Sequence, residues 1–572
     1  MEALPPLDPD IQRRVRHWLE GPYDAASKEE VRALAAHDVP GLIDAFYTDV
    51  AFGTSGLRNL MGPGTNRINV YTVAAATQGL AHYLLRQEGS PSVLVGFDSR
   101  HQSRAFACKT AQVLAGNGIR VFLFRALRPT PFLSFACRAK KCSAAVVITA
   151  SHNPREYNGY KVYWKDGGQV VEPHDAGIMQ EVHAVREVRE APLDSPLIEQ
   201  IGEELDQPFC DALRPLQIRP EHNRERGSLL KVVYTSLHGT GITLIPAALR
   251  DWGFGALSLV EEQVTPDGDF PTVRYPNPEY PEALELGTLR LLREEGDLLI
   301  ANDPDADRLG AVVRHQGLAY RLSGNELASL FAFYICSQLK EKGRLPSNGV
   351  IATTVVSTEL LRVLAASYGV HYVEVLTGFK YIAQKIREWE DGSRHFLLGA
   401  EESYGYLAGA YTRDKDGIGS ACLLCEIALF AKEQGLTLID LLHAVYRTYG
   451  VFREKQCTLD FPGKQGAEQM AAFTRFFRKT PPSTLAGAPV EEMEDLLPGG
   501  GKWNLPPSDV LIFRLKGGGK VVLRPSGTEP KIRIYAAVSQ PAEPSVAAGI
   551  ALCEERLSLL TQAVLALWEH RT

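Results

Sequence analysis

From about residue 70 onward, short apolar runs alternate with stretches whose apolar residues recur at helical spacing. SVLVGFDSR, FACKTAQVLAGNG, RVFLF, FLSFACRAK and AAVVITASHNP follow one another between residues 92 and 154. Such alternation predicts βαβ units and a parallel sheet. The pattern returns in LKVVYTSLHGTG, ALSLV and DLLIANDPDADR, and again in GVIATTVVS, HYVEVLTGFK and HFLLGAEESYGY. The chain therefore reads as three consecutive α/β segments. TASH (149 to 152) and TSLH (235 to 238) echo one another but are too short to establish duplication. In each segment, loops rich in Gly, Ser, Thr and charge follow an apolar strand directly, where open parallel sheets bind their ligands.

The flanks read differently. In the first 45 residues Asp8 with Pro9 predicts a cap and a first-turn proline, and Ser27 with Glu30 spells a capping box, so helices packing on a neighbour are expected there. PGGGKWNLPPSD (498 to 509) reads as a linker, followed by two or three strands joined by a Gly turn and a polar loop, then a closing helix. The expected fold class is α/β: a helical extension over 1–45, α/β domains over 46–200, 201–320 and 321–450, and a linker with a smaller α+β domain over 451–572.

With 572 residues, 45% hydrophobic and 23% charged, the chain can build several cores and lacks the bias of a disordered protein. Its 61 basic against 68 acidic residues leave a charge of −7, which counts against general affinity for nucleic acid or anionic membranes. No uncharged apolar run approaches a membrane span, and the start lacks the layout of a signal peptide, so a cytoplasmic protein is expected. Nine cysteines, an odd and scattered set, fit a reducing compartment. Cys422 and Cys425 fall on apolar helical spacing and read as core rather than as a redox or zinc pair.

Four loops carry candidate chemistry. Asp303, Asp305 and Asp307 alternate directly after the strand DLLIA, where they would repel one another without a counterion. Hard oxygen ligands of this kind suit Mg²⁺. Arg308 and Arg314 stand where a calcium loop needs Gly and Glu, which removes that alternative. Ser151, in TASHNP, is an exposed-loop hydroxyl beside His152; adjacent side chains of an extended stretch point apart, so a Ser–His nucleophilic pair is not expected. Neither GxSxG nor a P-loop occurs. Arg524, Ser526, Gly527 and Thr528, with Arg533 beyond, are the parts of a phosphate cradle. Glu401 and Ser403, followed by Arg413 to Asp416, could hold sugar hydroxyls.

Six motifs stand in order: FGTSGLR (52 to 58), TASHNPREYNGYK (149 to 161), DPDADR (303 to 308), TGFK (377 to 380), AEESYGYL with RDKDG (400 to 417) and RPSGTEP (524 to 530). In them the chain, from about residue 45 to its end, resembles the phosphohexomutase family. The run GAEESYGYLAGAYTRDKDG is most similar to the branch holding bacterial phosphoglucomutases and animal phosphopentomutase-type enzymes. Several mannose/glucose and glucosamine mutases carry histidine where this chain has Gly405, which counts against those substrates.

The resemblance implies four domains around a central cleft and a phosphoserine at Ser151 whose phosphate completes a Mg²⁺ site made by Asp303, Asp305 and Asp307. It implies transfer of that phosphate to a sugar monophosphate, with glucose 1,6-bisphosphate as intermediate and priming activator. Net chemistry would interconvert glucose 1-phosphate and glucose 6-phosphate, the alternative being a pentose or broad-specificity phosphosugar mutase. Lys161 matches the family's candidate acid/base, with His152 and Arg58 beside the phosphoserine loop and Arg308 clamping its phosphate. Thr377, Gly378, Glu401 and Ser403 would face the sugar. Arg524, Ser526, Gly527, Thr528 and Arg533 would hold the non-reacting phosphate, and Lys415 would be a second phosphate or proton-transfer group. Small sugar phosphates, no nucleic acid, no membrane, and a monomer or homodimer are the expected partners. A metal-dependent phosphatase is disfavoured because Arg308 stands where the Asp-nucleophile pattern needs Thr or Val. A non-catalytic sensor could have lost Ser151, an aspartate or Lys161, and none is lost.

Overall fold

The computed structural model describes residues 4–50, 52–53, 56–461, 466–526 and 531–570. Four sheets follow one another along the chain. The first orders its strands Phe52–Gly53, Gly56–Leu60, Tyr157–Trp164, Ala144–Ile148, Ser92–Phe97, Arg120–Phe124 and Ile198–Ile201. The last four are parallel, and Tyr157–Trp164 turns antiparallel against Ala144–Ile148. AAVVI is buried along its whole length, as a parallel strand covered by helices on both faces must be.

The second sheet runs Leu318–Leu322, Gly310–His315, Leu298–Ala301, Val232–Thr235 and Leu257–Leu259, two residues beyond the boundary expected at 320. The third runs His371–Val375, Gly349–Thr354, His395–Glu401 and Gly405–Ala408. The fourth is antiparallel, six-stranded, and covered by the helix Val546–Glu569. One apolar core runs from Leu94 and Phe132 of the first unit through Tyr234, Leu330 and Leu423 to Leu523 of the fourth, so the units share an interior. All nine cysteines are free thiols, and Cys422 and Cys425 are fully buried on the helix Gly417–Glu433. Among the described residues no helix is long and apolar enough to cross a membrane.

Two expectations need correction. Ser27 is not the cap of its helix: Ala25–His37 starts earlier, on Asp24, whose side chain accepts the Ser27 N–H at 2.9 Å and the Tyr71 hydroxyl at 2.7 Å. A carboxylate that can serve both groups wins over the serine, whose hydroxyl instead accepts from Trp18 Nε1 at 3.0 Å. Asp8, by contrast, caps Pro9–Glu20 as expected. Nor is the stretch 498–509 a linker between units. It lies inside the fourth sheet's connectivity, between Ala488–Asp495 and Leu511–Leu515, and docks on the third unit through Trp503 Nε1, which donates to Glu374 at 3.1 Å. Gly and Pro mark any irregular loop, docked or free.

The three N-terminal helices, Pro9–Glu20, Ala25–His37 and Val39–Phe46, enclose their own cluster of Val15, Trp18, Val31, Leu42, Ala45 and Phe46. Trp18 stacks on Tyr23 with ring centroids 4.0 Å apart and meets Tyr71 edge-on, which ties the cluster to the helix Val70–Gln87. Trp18→Ala should loosen this segment by about 3 kcal/mol. Hydrogen exchange and limited proteolysis should show residues 9–46 opening first while the rest of the chain keeps its protection; uniform loosening would contradict a separate cluster.

Candidate active site

The loop 149–153 leaves the buried strand Ala144–Ile148, and Ser151 adopts the left-handed conformation, φ 53°. One buried guanidinium organises it. Arg100 donates to the carbonyls of Ser151 at 2.6 Å, Pro154 at 2.8 Å and Tyr157 at 3.1 Å, and to that of Asn153. Asp98 lies 3.3 Å from its Nε, and the Phe270 ring of the second unit covers it at 4.9 Å. Burial pushes Arg100 down to about 10, still a cation at neutral pH. Sequence reasoning missed Arg100 and Asp98; the signal was the pair of charges closing the otherwise apolar run SVLVGFDSR.

The left-handed turn also corrects the reading of His152. Its Nδ1 lies 3.1 Å from Ser151 Oγ, because the loop is not extended there. Burial, with Arg308 and Arg58 nearby, pushes the imidazole well below its usual range, so it is neutral. Ser151 Oγ itself donates to Asp303 Oδ2 at 2.6 Å, joining loops 152 residues apart.

Asp303, Asp305 and Asp307 are at most 2% exposed, and their oxygens lie within 4.8 Å of one another. The loop is braced from both sides: Thr240 N–H donates to Pro304 O at 2.7 Å, and Thr130 Oγ1 to Asp305 Oδ2 at 2.9 Å. A Cβ on Gly239 would lie 2.3 Å from Pro304 Cα, so the TSLHG loop supports the acidic turn. Burial and the two neighbouring carboxylates push Asp303 well above the usual carboxylate range. Asp305 Oδ1 and Asp307 Oδ1 are buried without a hydrogen-bond donor. Orphaned hard oxygens beside a destabilised carboxylate fit a divalent cation such as Mg²⁺.

Cations converge on this turn from every side. Lys161, 2% exposed on Tyr157–Trp164, reaches Asp305 at 2.8 Å and Asp307 at 3.5 Å. Burial alone would lower Lys161, but the two carboxylates prevail and raise it. Lys415 reaches Asp307 at 3.2 Å. Arg58 donates to Asn153 Oδ1 at 3.1 Å, and Arg308 stands 3.6 Å from Glu279.

The third unit brings Glu401 to the end of His395–Glu401, where it accepts the Gly378 N–H at 3.0 Å. Gly378 has φ 124°, which favours glycine there. Thr377 Oγ1 beside it is buried without a partner, and Ser403 sits half-buried in the next turn. Arg524 and Arg533 pair across the strands Gly519–Pro525 and Lys531–Gln540, and Ser526 N–H donates to Lys531 O at 2.8 Å. Arg524 lowers Glu402 of the third unit electrostatically, while burial dominates and raises Glu402. Gly527 and Thr528 lie outside the described residues. A hollow of about 790 Å³, walled by Asp175, Lys380, Tyr381 and Asn504 to Pro507, separates the first, third and fourth units.

Burial raises Glu401 to about 7, against the partial relief that Lys415 gives. A carboxyl whose folded value exceeds its unfolded one favours the folded state least above pH 7, where it must ionise while buried. Glu401→Gln should therefore raise stability about 2 kcal/mol more at pH 8 than at pH 5. Thermal unfolding of both proteins at the two pH values checks this, and an equal change at both would contradict it.

The chain matches the descriptions phosphoglucomutase/phosphomannomutase alpha/beta/alpha domain I over 49–189, domain II over 207–317, domain III over 323–449 and the C-terminal domain over 487–551. It is 38% identical over 502 residues to a phosphoglucomutase of Staphylococcus haemolyticus, covering 86% of this chain and 90% of that one. It is 32% identical over 569 residues to the phosphopentomutase of Homo sapiens, covering 93% and 92%. Among solved structures, the open form of the Paramecium phosphoprotein pp63/parafusin, a phosphoglucomutase, superposes with a TM-score of 0.68 at 17% identity, covering 91% of this chain and 96% of that one. Four consecutive matches in the family's order place this chain in the phosphoglucomutase/phosphomannomutase family of phosphohexomutases.

Proposed function

We propose that the protein is a phosphoglucomutase, an intramolecular phosphotransferase that interconverts α-D-glucose 1-phosphate and glucose 6-phosphate through a phosphorylated Ser151. The observation that carries the reading is Ser151 Oγ lying 2.6 Å from Asp303 in a turn with two orphaned carboxylate oxygens. Asp303, Asp305 and Asp307 would hold Mg²⁺ together with the serine's phosphate. Bound there, the ion offsets the charge of the transferred group, leaving the protein mainly positioning and electrostatics to supply.

In the forward half-reaction the sugar hydroxyl oxygen forms a bond to phosphorus, the bond from phosphorus to Ser151 Oγ breaks, and the hydroxyl's proton ends on Ser151 Oγ. Lys161, held protonated at the acidic turn, gives its own proton to Ser151 Oγ as that oxygen leaves and, then neutral, takes up the proton of the attacking hydroxyl, so that the net transfer runs from hydroxyl to serine. Arg58 and Arg308 draw on the phosphoryl oxygens, and His152, neutral, orients Ser151. Lys415 supplies a second positive charge beside Asp307. Thr377, Gly378, Glu401 and Ser403 hold ring hydroxyls, and Arg524, Ser526, Gly527, Thr528 and Arg533 hold the non-reacting phosphate of either isomer. The bisphosphate then turns and returns its other phosphate to Ser151; glucose 1,6-bisphosphate from solution primes the unphosphorylated enzyme. Nine free thiols support a cytoplasmic setting. The second reading is a phosphopentomutase, favoured by the 32% identical human relative.

Initial rates with Mg²⁺ and a trace of glucose 1,6-bisphosphate on glucose, mannose, glucosamine and ribose 1-phosphates decide the substrate. Glucose 1-phosphate should turn over fastest, and Ser151→Ala should lower that rate by about three orders of magnitude or more. Preference for ribose 1-phosphate would move the assignment to the second reading, and an active Ser151→Ala enzyme would refute the phosphoserine. Water must be kept out while the bisphosphate turns. Arg524→Ala should raise KM and the ratio of free phosphate to isomer; an unchanged KM and ratio would remove Arg524 from the cradle.

A further inference from the structure

The segment RDKDG carries a carboxylate that the proposed reaction does not use. Asp414 is 1% exposed, and its two oxygens serve different units of the protein. Oδ2 accepts the Tyr163 hydroxyl at 2.6 Å and Gln169 Nε2 at 3.1 Å, both from the first unit. Gln169 Nε2 also donates to the Tyr163 hydroxyl at 3.1 Å, which closes a triangle around that oxygen. Oδ1 accepts the backbone N–H of Lys415 at 2.8 Å and its Nζ at 3.0 Å. The same Nζ continues to Asp307 Oδ2 at 3.2 Å.

The stem of Lys415 is confined as well. A Cβ on Gly405 would lie 2.1 Å from Lys415 Cδ and 2.8 Å from its Cγ, so the lysine runs through the space that any side chain at 405 would fill. Its Nζ lies 5.6 Å from the centre of the Phe379 ring. A lysine side chain left to itself spreads over many rotamers and loses entropy on being fixed. Here the backbone, the stem and the ammonium are each held.

We infer that Asp414 is a positioning residue for the phosphoryl transfer: Tyr163 and Gln169 of the first unit orient it, and it fixes Lys415 of the third unit against Asp307. The inference rests on the role proposed above for Lys415. Tyr163 stands two residues after Lys161, on the same face of one strand. That strand thus supplies one lysine to Asp307 directly and sets the other through Asp414. Burial works to raise Asp414, but Lys415 and Lys161 outweigh it, and the carboxylate stays charged. Placement errors of an ångström at a reacting centre can cost orders of magnitude in rate, so the bracket acts on kcat rather than on ground-state binding.

A double-mutant cycle separates positioning from a merely structural role. Asp414→Asn and Tyr163→Phe should each lower kcat about tenfold or more, with KM within about twofold of wild type. Either change made on Lys415→Ala should have no further effect on kcat, because the residue it positions is gone. Loss of kcat that multiplies onto that of Lys415→Ala, or wild-type kcat in Asp414→Asn, overturns the inference. If Asp414→Asn fails to fold by circular dichroism, Tyr163→Phe, which removes one hydroxyl, takes its place in the cycle and is read in the same way. A Lys415→Ala enzyme with wild-type kcat overturns the role of Lys415 and the inference with it. The mutase reading itself is judged separately, by Ser151→Ala.

Discussion

Three carboxylates share one buried turn, and the arrangement of the protein answers to that fact. Asp303, Asp305 and Asp307 could not stay ionised together in an apolar interior without compensation. Lys161 comes from the first unit and Lys415 from the third, while Arg308 follows in the turn itself. Thr130 braces the turn from the first unit, and the Leu309 N–H donates to Tyr404 O of the third at 3.0 Å. The acidic turn is therefore a meeting point of three sheets rather than the property of one. Removing the first or the third unit would leave buried charge uncompensated, which is a physical reason for these three sheets to travel in one chain.

Much of this was legible from residue patterns because the relevant signals are local. AAVVI is a continuous apolar run and GVIATT an apolar run closed by two threonines, and both are strands buried along their length. Alternating aspartates after a strand predicted a cation site, and the oxygens do converge. What was not legible depends on contacts far along the chain or on backbone conformation without a glycine to announce it. Arg100 reads as a surface charge until its acceptors, the carbonyls of 151 to 157, are known. The Ser151–His152 contact needs φ 53° at a serine, which no residue pattern encodes. Ser27 and Asp24 are both good caps, and Tyr71, 47 residues away, decides between them.

Gly405 has a role that only geometry reveals. In space it is the channel for the Lys415 stem, so the two positions are one steric decision. A histidine at 405 and this path for Lys415 exclude each other. Packing at this point therefore couples the sugar loop to the cation beside Asp307.

The fourth unit is joined on other terms. Its contacts with the third include Lys520 to Glu359 at 2.8 Å, Asn325 to Glu454 at 3.0 Å and Trp503 to Glu374 at 3.1 Å. Between them lies a small apolar cluster that pairs Val355, Val356 and Leu376 with Leu505, Val522 and Tyr535. Lys520 and Glu359 are a buried ion pair in their own right, so this interface, like the turn of Asp303 to Asp307, holds charge that cannot be left without its partner. The centre that would hold phosphoserine and metal is tied to three units by buried charge, and the unit that carries Arg524 and Arg533 is tied to the third by a buried ion pair and by the shared apolar core. A reaction that turns a doubly phosphorylated sugar between two orientations, without losing it to water, would need its phosphate cradle kept in register with the acidic turn, and an interface of buried charge and apolar packing holds the two units together.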